Sequence, residues 1–409
     1  MVVRTGVPAA ARGAGNGTRC LMVLGAGPAQ LPGIAKAVAA GHRVVTVDPY
    51  PDSPGHALAH ASVRCDTRDL RGVREAAAAL HVDGVCTFRS DVATLTVHRL
   101  REQLGLPGGH ARAAGIMSRK DAFREFQRAS ALPYPAFVHG TDPAALCRGA
   151  AALGPLVFCK PADNCGLRGV SRIADTSRAG LEAAVARAQA WSPSGTVCIE
   201  AGIAGAEVGG DALFAGGALV FAAITRKCLE GVVVRGHRLP CGLSEADARR
   251  IEAALAEACA LLGYRDGPLN FDVMVSEDTV TIIEMSPRNG GNGITDLVRH
   301  AYGVDVEALL VELALGRQPV LPARALPGGF GVVVLGASRA GRLQSLPTLQ
   351  DWQRRSPNVV EVFYGRRQGE PVDALLHGGN AIGHAVFRCR DAGEYERTRR
   401  ELACFDFLA

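Results

Sequence analysis

The hairpin predicted at residues 271–285 constrains the fold more than any other segment. Two apolar, β-branched runs there flank a short polar segment, a pattern typical of two antiparallel strands joined by a turn. If residues 277–279 form the turn, Asp272 lies directly opposite Glu284 on one face of the sheet. Carboxylates so placed, with Cβ atoms about 5 Å apart, repel each other and destabilise the sheet unless a cation lies between them. The sequence therefore predicts an antiparallel sheet that carries a cation site.

The chemistry of these two acids favours a divalent ion. Oxygen ligands suit Mg²⁺, with Mn²⁺ as an alternative, and such an ion completes its coordination with water and nucleotide phosphates. A second interpretation is a solvent-facing hairpin whose acids keep a sheet edge soluble, and a two-residue turn would place the acids on opposite faces. The segment after the hairpin favours a ligand site, because Arg288 can hold a carboxylate or phosphate and the following glycines let backbone approach it.

Lysine is almost excluded from this chain. Four of its 45 basic residues are lysines: Lys36, Lys120, Lys160 and Lys227. A chain that builds its charge from arginine has little reason to place Lys160 after an apolar run unless a compact ammonium group is needed there. Lys120 and Lys160 are therefore candidates for binding an anionic ligand, and the alternative for Lys160 is an ion pair at a strand end. Lys36 lies in a predicted helix and is interpreted as a solvated surface residue.

Four motifs, in order along residues 20–300, resemble the ATP-grasp superfamily of ATP-dependent carboxylate ligases. They are Ser-Arg-Lys-Asp at 118–121, Phe-Cys-Lys-Pro-Ala-Asp-Asn-Cys-Gly at 158–166, Cys-Ile-Glu-Ala-Gly-Ile-Ala-Gly-Ala-Glu at 198–207, and the two hairpin acids followed by Arg288. The phosphate loop G-x-x-x-x-G-K-[ST] is absent. The resemblance instead assigns phosphate binding to Lys120, Lys160 and a loop that contains Asn164 and Gly166.

The resemblance also implies where the rest of the nucleotide binds and which cations act in catalysis. Glu200, Ala201 and the backbone near Ile203 would hold adenine, and Glu207 would hold the ribose hydroxyls. Lys160, together with Arg288, would neutralise charge on the transferring phosphate, the main requirement of phosphoryl transfer.

The metal and substrate positions follow from the same resemblance. Asp272 and Glu284 match the metal positions, and Ser286 stands where the family commonly has an asparagine, so that its hydroxyl is a weaker third ligand. The acyl phosphate would be held by Arg288, Gly290 and Gly291. In the branch of L-amino-acid ligases and carbamoyl-phosphate-synthetase-like enzymes, a basic segment borders the acceptor pocket. This makes Arg226, Lys227 and His237 substrate candidates, with a charged hairpin in water as the alternative.

The resemblance implies an α/β protein of several domains. A Rossmann-like domain would span residues 20–114, the two α+β lobes of an ATP-grasp domain 115–195 and 196–318, and a small mixed α/β C-terminal domain 319–409. Gly25 and Gly27 follow the first predicted strand and Asp48 ends the second, a pattern that also suits NAD. Gln30 replaces the third glycine, so we assign this loop to carboxylate binding or domain packing.

Composition argues against several classes of function. No apolar run approaches the roughly 18 residues of a membrane span, and a net charge of +5 gives little support for nucleic-acid binding. Residues 1–19 lack a hydrophobic core segment and are predicted to form a disordered tail rather than a secretion signal. Twelve cysteines without C-x-x-C spacing predict reduced core residues rather than a zinc site. We therefore expect a cytoplasmic protein.

These expectations converge on an ATP-dependent carboxylate–amine ligase. ATP with magnesium would phosphorylate a carboxylate, and an amine would attack the acyl phosphate to give an amide, ADP and phosphate. The expected substrates are small carboxylates and amines, amino acids above all. A carrier-protein-tethered acceptor, a role in natural-product biosynthesis and a homodimer are left open. Two alternatives remain: an ATP-dependent carboxylase of the biotin or purine-pathway type, and a nucleotide-binding module without catalysis.

Overall fold

The N-terminal part of the chain folds around a mostly parallel sheet. The computed structural model describes residues 2–5, 18–174, 176–321 and 328–408. The elements of this part are the strands β1 (Val2–Thr5), β2 (Cys20–Leu24), β3 (Arg43–Asp48), β4 (Ala61–Arg64) and β5 (Gly84–Cys86), the helices α1 (Leu31–Ala39), α2 (Leu70–Ala79) and α3 (Asp91–Gln103), and 3-10 turns at Pro28–Gln30 and Pro54–Ala57. The strand order is β1-β4-β3-β2-β5, with β2 to β5 parallel. The apolar run of β2 is buried throughout, as expected for a parallel strand covered on both faces.

The first residues differ from the expected disordered tail. Strand β1 pairs with β4 in antiparallel register, from Val2 opposite Arg64 to Thr5 opposite Ala61. Residues 6–17 lie outside the described residues. The prediction for residues 1–19 is therefore wrong for the four residues of β1. The physical reason is that the edge strand β4 presents unpaired backbone groups, which a short extended segment can satisfy without a hydrophobic run of its own.

The glycine loop after β2 serves packing within the N-terminal part. Asp48 accepts a hydrogen bond from the Ala26 amide at 2.9 Å and, through its other carboxylate oxygen, one from Ser53 Oγ at 2.8 Å. Gln30 donates from Nε2 to the Phe88 carbonyl oxygen at 2.7 Å. Because Asp48 is engaged by the protein's own backbone, the loop favours packing over NAD binding.

Residues 111–201 build a second, antiparallel sheet. Its elements are α4 (Ala111–Met117), α5 (Lys120–Ala129), β6 (Phe137–Gly140), α6 (Pro143–Ala151), β7 (Val157–Pro161), β8 (Ser171–Ile173), α7 (Arg178–Trp191) and β9 (Val197–Ala201). The strand order is β6-β9-β7-β8. Alternation along β7 places Cys159 in the apolar core and directs Lys160 to the other face. The sheet thereby brings Lys160 of β7 beside Glu200 of β9.

Most strands of the remaining residues share one large sheet, and two short strands pair separately with each other. Their elements are β10 (Ala206–Ala215), β11 (Ala218–Glu230), β12 (Val233–Leu239), α8 (Glu245–Leu262), β13 (Gly267–Val275), β14 (Val280–Ser286), α9 (Ile294–Tyr302), α10 (Val306–Ala314), β15 (Gly329–Leu335), β16 (Gly341–Arg342), α11 (Leu349–Arg355), β17 (Val359–Tyr364), β18 (Pro371–Val372), a 3-10 turn at Gly378–Asn380, β19 (Gly383–Cys389) and α12 (Ala392–Ala403). Eight strands pair in the order β14-β13-β10-β11-β12-β15-β19-β17. Helix α8 packs Ile251 and Leu255 into an apolar core under β10, β13 and β14.

This sheet continues into the C-terminal segment. Strand β12 pairs with β11 and also with β15, where Gly236 lies opposite Val333 and Leu239 opposite Phe330. The segment after residue 318 thus extends the sheet of the second lobe. The mixed α/β class predicted from the sequence is confirmed, whereas the domain boundaries stay a prediction.

The hairpin β13–β14 has the expected pairing but a different turn. Asp272 lies opposite Glu284, as predicted. Val275, however, lies opposite Val280, so the connection is one residue longer than the predicted turn at 277–279. A β-bulge at Ile283 shifts the register back by one residue before Glu284. The two acids share a face only because the bulge compensates for the turn.

Among the described residues, every helix is too short or too polar to cross a membrane.

Candidate active site

One face of the large sheet collects charged side chains from neighbouring strands. Lys227 of β11 lies opposite His237 of β12, and Asp272 of β13 lies opposite Glu284 of β14. Side chains of paired residues point to the same face of a sheet. The Lys227 ammonium reaches from this face to Glu207 of β10, with 2.7 Å between Nζ and Oε1. Strands β10, β11, β13 and β14 thereby contribute charged side chains to this face.

Lys227 is paired with two of the predicted ligand acids. Its Nζ lies 3.0 Å from Asp272 Oδ2, in addition to the contact with Glu207. Burial alone would lower the pKa of Lys227, but Asp272 and Glu207 outweigh it and raise the pKa above its usual value. Gly209 lies beneath this pair, where a Cβ atom would come within 2.3 Å of Asp272 Oδ1. The sequence suggested that Lys227 binds substrate. In the structure it instead bridges Glu207, the ribose candidate, and Asp272, the metal candidate.

The second metal candidate faces the other lobe. Lys120 Nζ lies 3.5 Å from Glu284 Oε1 and donates a hydrogen bond to the Asn164 carbonyl oxygen at 2.8 Å. Burial would lower the pKa of Lys120, but Glu284 and Glu200 raise it, so the side chain stays protonated. Lys120 therefore presents a cation between the loop after β7 and the acids of the hairpin.

The donor set fits a magnesium ion that shares its coordination with phosphates. Asp272 and Glu284 supply two carboxylates on one face, and Mg²⁺ usually takes one or two from the protein. Within the described ranges, no group of three or more His, Cys, Asp or Glu side chains is arranged to hold a metal. Ser286 is 7% exposed and lies opposite Asn270, which lines the cavity next to the acids. The side-chain amide that Ser286 lacks is thus present on the adjacent strand, a feature that sequence reasoning missed.

Lys160 and Glu200 form a buried ion pair. Lys160 Nζ lies 2.6 Å from Glu200 Oε2, and Arg124 Nε lies 3.0 Å from Glu200 Oε1. Burial would raise the pKa of Glu200, but Arg124 and Lys160 outweigh it and lower the pKa to about 2. The carboxylate of Glu200 is therefore engaged inside the protein, which contradicts its expected side-chain contact with adenine. It orients Lys160, and the ion pair at a strand end, considered from the sequence as the alternative, is present.

The backbone near Glu200 remains the adenine candidate. Ala201 ends β9, and its amide donates to the Ala136 carbonyl oxygen at 2.8 Å. Ile203 lies in the link of residues 202–205 between β9 and β10, outside both sheets. The adenine assignment of Ala201 and Ile203 stays a prediction.

The loop after β7 covers the charged cluster. Asn164 donates from Nδ2 to the Trp191 carbonyl oxygen at 2.5 Å, so its side chain fixes the loop. Its backbone carbonyl oxygen accepts the hydrogen bond from Lys120. Gly166 has φ +67°, a left-handed conformation that favours glycine. Cys165 and Gly166 line the cavity that contains Asp272 and Glu284. The loop is therefore placed where the resemblance expects the phosphates.

Arg288 is held by an acid from the N-terminal part. Its Nε and Nη2 donate to the two carboxylate oxygens of Asp91 at 2.7 and 3.1 Å. Burial alone would raise the pKa of Asp91, but the Arg288 charge outweighs it and lowers the pKa. Asp91 was not among the site residues predicted from the sequence. Its position after a parallel strand, at the edge where ligands bind such sheets, was the available signal.

The two glycines after Arg288 differ in their roles. The Gly290 amide donates to both oxygens of the buried Asp211, at 2.8 and 2.9 Å. It therefore anchors the segment after Arg288 and is not free to hold an acyl phosphate. This corrects the substrate assignment of Gly290. Gly291 lines the cavity beside Arg288, as the assignment requires.

The remaining substrate candidates separate by face. Arg226 donates from Nε to the Cys241 carbonyl oxygen at 3.0 Å, and it alternates with Lys227 along β11. It therefore points to the opposite face, and its substrate assignment is wrong because neighbouring strand residues face opposite sides. His237 is 3% exposed, and its Nδ1 lies 2.9 Å from Thr225 Oγ1. It lines the cavity that Arg288 and Gly291 also line. Burial lowers the pKa of His237 to about 3, so the ring is neutral.

Two adjoining cavities connect these groups. A cavity of about 150 Å³ contains the acids and the loop after β7, and a second of about 350 Å³ extends toward β12 and β19. Both are lined by Asp91, Lys227, Asn270, Asp272 and Arg288. The cavity that contains the metal and phosphate candidates thus adjoins a second cavity of small-molecule size.

Comparisons with known proteins agree with this geometry. A family model for the ATP-grasp domain matches residues 154–296. Carnosine synthase 1 of Gallus gallus is 31% identical over 155 residues, which are 36% of this chain and 17% of that protein. The chain thus spans less than a fifth of the length of this curated relative.

Solved structures share the architecture over nearly the whole chain. The L-amino acid ligase from Bacillus licheniformis superposes with a TM-score of 0.77 at 22% identity, covering 94% of this chain and 97% of that one. The biotin carboxylase from Campylobacter jejuni superposes with a TM-score of 0.70 at 17% identity, covering 92% and 89%. These likenesses establish the fold. Together with the match of the ATP-grasp domain model over residues 154–296, they confirm the resemblance to the ATP-grasp superfamily that was read from the sequence.

Proposed function

We propose that the protein is an ADP-forming carboxylate–amine ligase that joins small molecules, amino acids above all. ATP transfers its γ-phosphoryl group to a carboxylate, and the amine displaces phosphate from the acyl phosphate to leave an amide. The first step needs cations around the transferring group and fixed geometry, with little covalent help from the protein. Magnesium, held by Asp272 and Glu284, would supply part of that positive charge.

The observation that carries the proposal is the meeting of phosphate-binding and carboxylate-binding groups at one cavity. Asp272, Glu284 and Lys227 line the small cavity together with Cys165 and Gly166 of the loop after β7. Arg288, held by Asp91, lines both cavities, so its charge would lie near a transferred phosphate and near the carboxylate that receives it.

The size of the second cavity supports small substrates. About 350 Å³ accommodates a molecule of amino-acid or dipeptide size. A free amine fits this cavity, and the comparisons lend no support to a carrier-protein-tethered acceptor. The similarity to carnosine synthase and to an L-amino acid ligase favours amide formation over bicarbonate activation. Cytoplasmic location, a homodimer and a role in natural-product biosynthesis remain proposals that rest on the sequence.

The direct test is incubation of the purified protein with ATP, magnesium and the twenty common amino acids as a pool, followed by mass spectrometry. ADP together with a condensed product supports the ligase and identifies its substrates. Asp272→Asn is the matched control, which preserves shape but removes one metal carboxylate. ADP formed with bicarbonate alone would establish the carboxylase alternative, AMP would overturn the acyl-phosphate route, and ATP binding without turnover would indicate a module without catalysis.

A further inference from the structure

A histidine–aspartate pair lies in the larger cavity, outside the groups that the proposed phosphoryl transfer uses. His384 of β19 contacts Asp296 of α9, with 2.9 Å between Nε2 and Oδ2. His384 is 4% exposed, and it lines the same cavity as Arg288 and Gly291. Nothing in phosphate or metal binding requires a histidine at this place.

The surroundings of the ring fix which edge faces the cavity. The ring of His384 stacks on Phe363, with 5.2 Å between ring centroids. Its Cγ–Cδ2 edge lies against Gly293, where a Cβ atom would approach Cδ2 within 2.6 Å. Nε2 is bound to Asp296, so the Nδ1–Cε1 edge is left for the cavity. Within the described part of the chain, Nδ1 has no hydrogen-bond partner, and it is not among the fully buried polar atoms without one.

The charge of Asp296 determines the tautomer. Burial would raise the pKa of Asp296, but the hydrogen bond from His384 and the charge of Arg89, 3.2 Å away, lower it well below its usual range. An ionised Asp296 accepts a hydrogen bond from Nε2–H, which leaves the lone pair of the imidazole on Nδ1. A carboxylate that orients a histidine in this way also stabilises the imidazolium formed when the ring takes a proton.

We propose that His384 is the general base that deprotonates the acceptor amine, and that Asp296 is its positioning residue. This inference rests on the proposed ligase function and names a catalytic residue for its second step. The acceptor enters as an ammonium ion, which has no lone pair for attack. Nδ1 of His384 takes one proton, and the free amine forms the C–N bond to the acyl carbon. The bond from that carbon to the phosphate oxygen breaks, and the departing phosphate takes the second proton from nitrogen.

The test separates deprotonation from acyl-phosphate formation by changing the acceptor. Hydroxylamine is unprotonated at neutral pH and traps an acyl phosphate as a hydroxamate without a base. His384→Gln keeps a hydrogen-bonding side chain but cannot accept a proton in this way. We expect it to lower amide formation from pooled amino acids by about 100-fold or more, the usual contribution of a general base. Hydroxamate formation from the same pool should stay near the wild-type rate.

Two further variants complete the experiment. Asp296→Asn removes the charge that sets the tautomer, and it should show the same division between amide and hydroxamate even if His384→Gln folds poorly. His139→Gln is the matched control, because His139 also pairs with a carboxylate, Glu125 at 2.9 Å, but lies on the first lobe away from the cavity. It should form both products normally.

The outcomes distinguish an error in the proposed base from an error in the proposed ligase function. Equal loss of amide and hydroxamate in His384→Gln and Asp296→Asn, or normal amide formation in both, would refute the base while leaving the ligase intact. Absence of both products in the wild-type protein would instead refute the proposed function itself.

Discussion

Glu200→Gln should destabilise the protein strongly, because Glu200 neutralises two cations in the first lobe. The carboxylate lies 2.6 Å from Lys160 and 3.0 Å from Arg124, whose side chain is 1% exposed. The glutamine side chain has nearly the same shape but no charge, so Arg124 would remain as a buried cation without a carboxylate. Loss of one partner from a buried ion pair leaves the other uncompensated, at a cost of about 3–5 kcal/mol.

The pKa of Glu200 gives a second measure of the same effect. It falls from 4.5 to about 2 in the folded protein, which corresponds to about 3 kcal/mol of stabilisation from the ionised form. Because the folded-state pKa is lowered, this stabilisation is present above the unfolded-state value and is lost as pH falls toward 2. The free-energy difference between wild type and Glu200→Gln should therefore be about 3 kcal/mol at pH 7 and should shrink with acidification.

Urea unfolding followed by circular dichroism at pH 7 and at low pH measures this difference. Glu182→Gln is the matched control, since Glu182 lies in the same lobe and pairs with Arg178 across one helical turn while half exposed. The control should change the free energy of unfolding by less than about 0.5 kcal/mol. If Glu200→Gln shifted the unfolding free energy no more than the control does, the buried ion pair would not have the importance inferred here.

Further predictions concern the catalytic groups. Asp272→Asn and Glu284→Gln should each lower amino-acid-dependent ADP release by about 100-fold or more, as measured in a coupled assay, and near wild-type rates in both would overturn the metal assignment. In the same assay Lys227→Met should nearly abolish release whereas Arg226→Ala should not, because the two side chains face opposite sides of β11; equal effects would contradict this geometry. Cys165 should react with a thiol reagent more slowly when ATP is bound, and quenched samples analysed by mass spectrometry would show equal rates if the loop does not cover the phosphates.

The sequence predicted local features of the fold better than long-range ones. The strand that precedes Gly25 and the two strands of the hairpin are present as predicted, because each is set by residues close in the chain. The pairing of β12 with β15 was not foreseen, since nothing in either strand specifies a partner so distant in sequence. The bulge at Ile283 was likewise invisible, and the correct pairing of Asp272 followed from two register changes that cancel.

The candidate site shows the same division. Residues that belong to ordered motifs, such as Lys120 and Glu284, lie together as expected. Asp91 and His384 were missed because they come from the N-terminal part and the last strand, and only folding brings them to the cavity. Lys36 was also misjudged: it pairs with Asp305 at 2.7 Å and Glu307 at 2.8 Å across a contact that no local pattern reveals.

The continuous pairing of eight strands from β14 across the sheet to β17 has a mechanical consequence. Asp272 of β13 and His384 of β19 belong to the same sheet, so the pairing of its strands fixes the distance between them. Lys160 stands on the other sheet, joined to this one through residues 202–205. We therefore expect opening and closing of the two lobes to change the distance between Lys160 and Asp272, and with it the binding of the nucleotide, as lid motions do in many enzymes. The distance between Asp272 and His384 would stay nearly constant through that cycle, because both residues belong to one sheet.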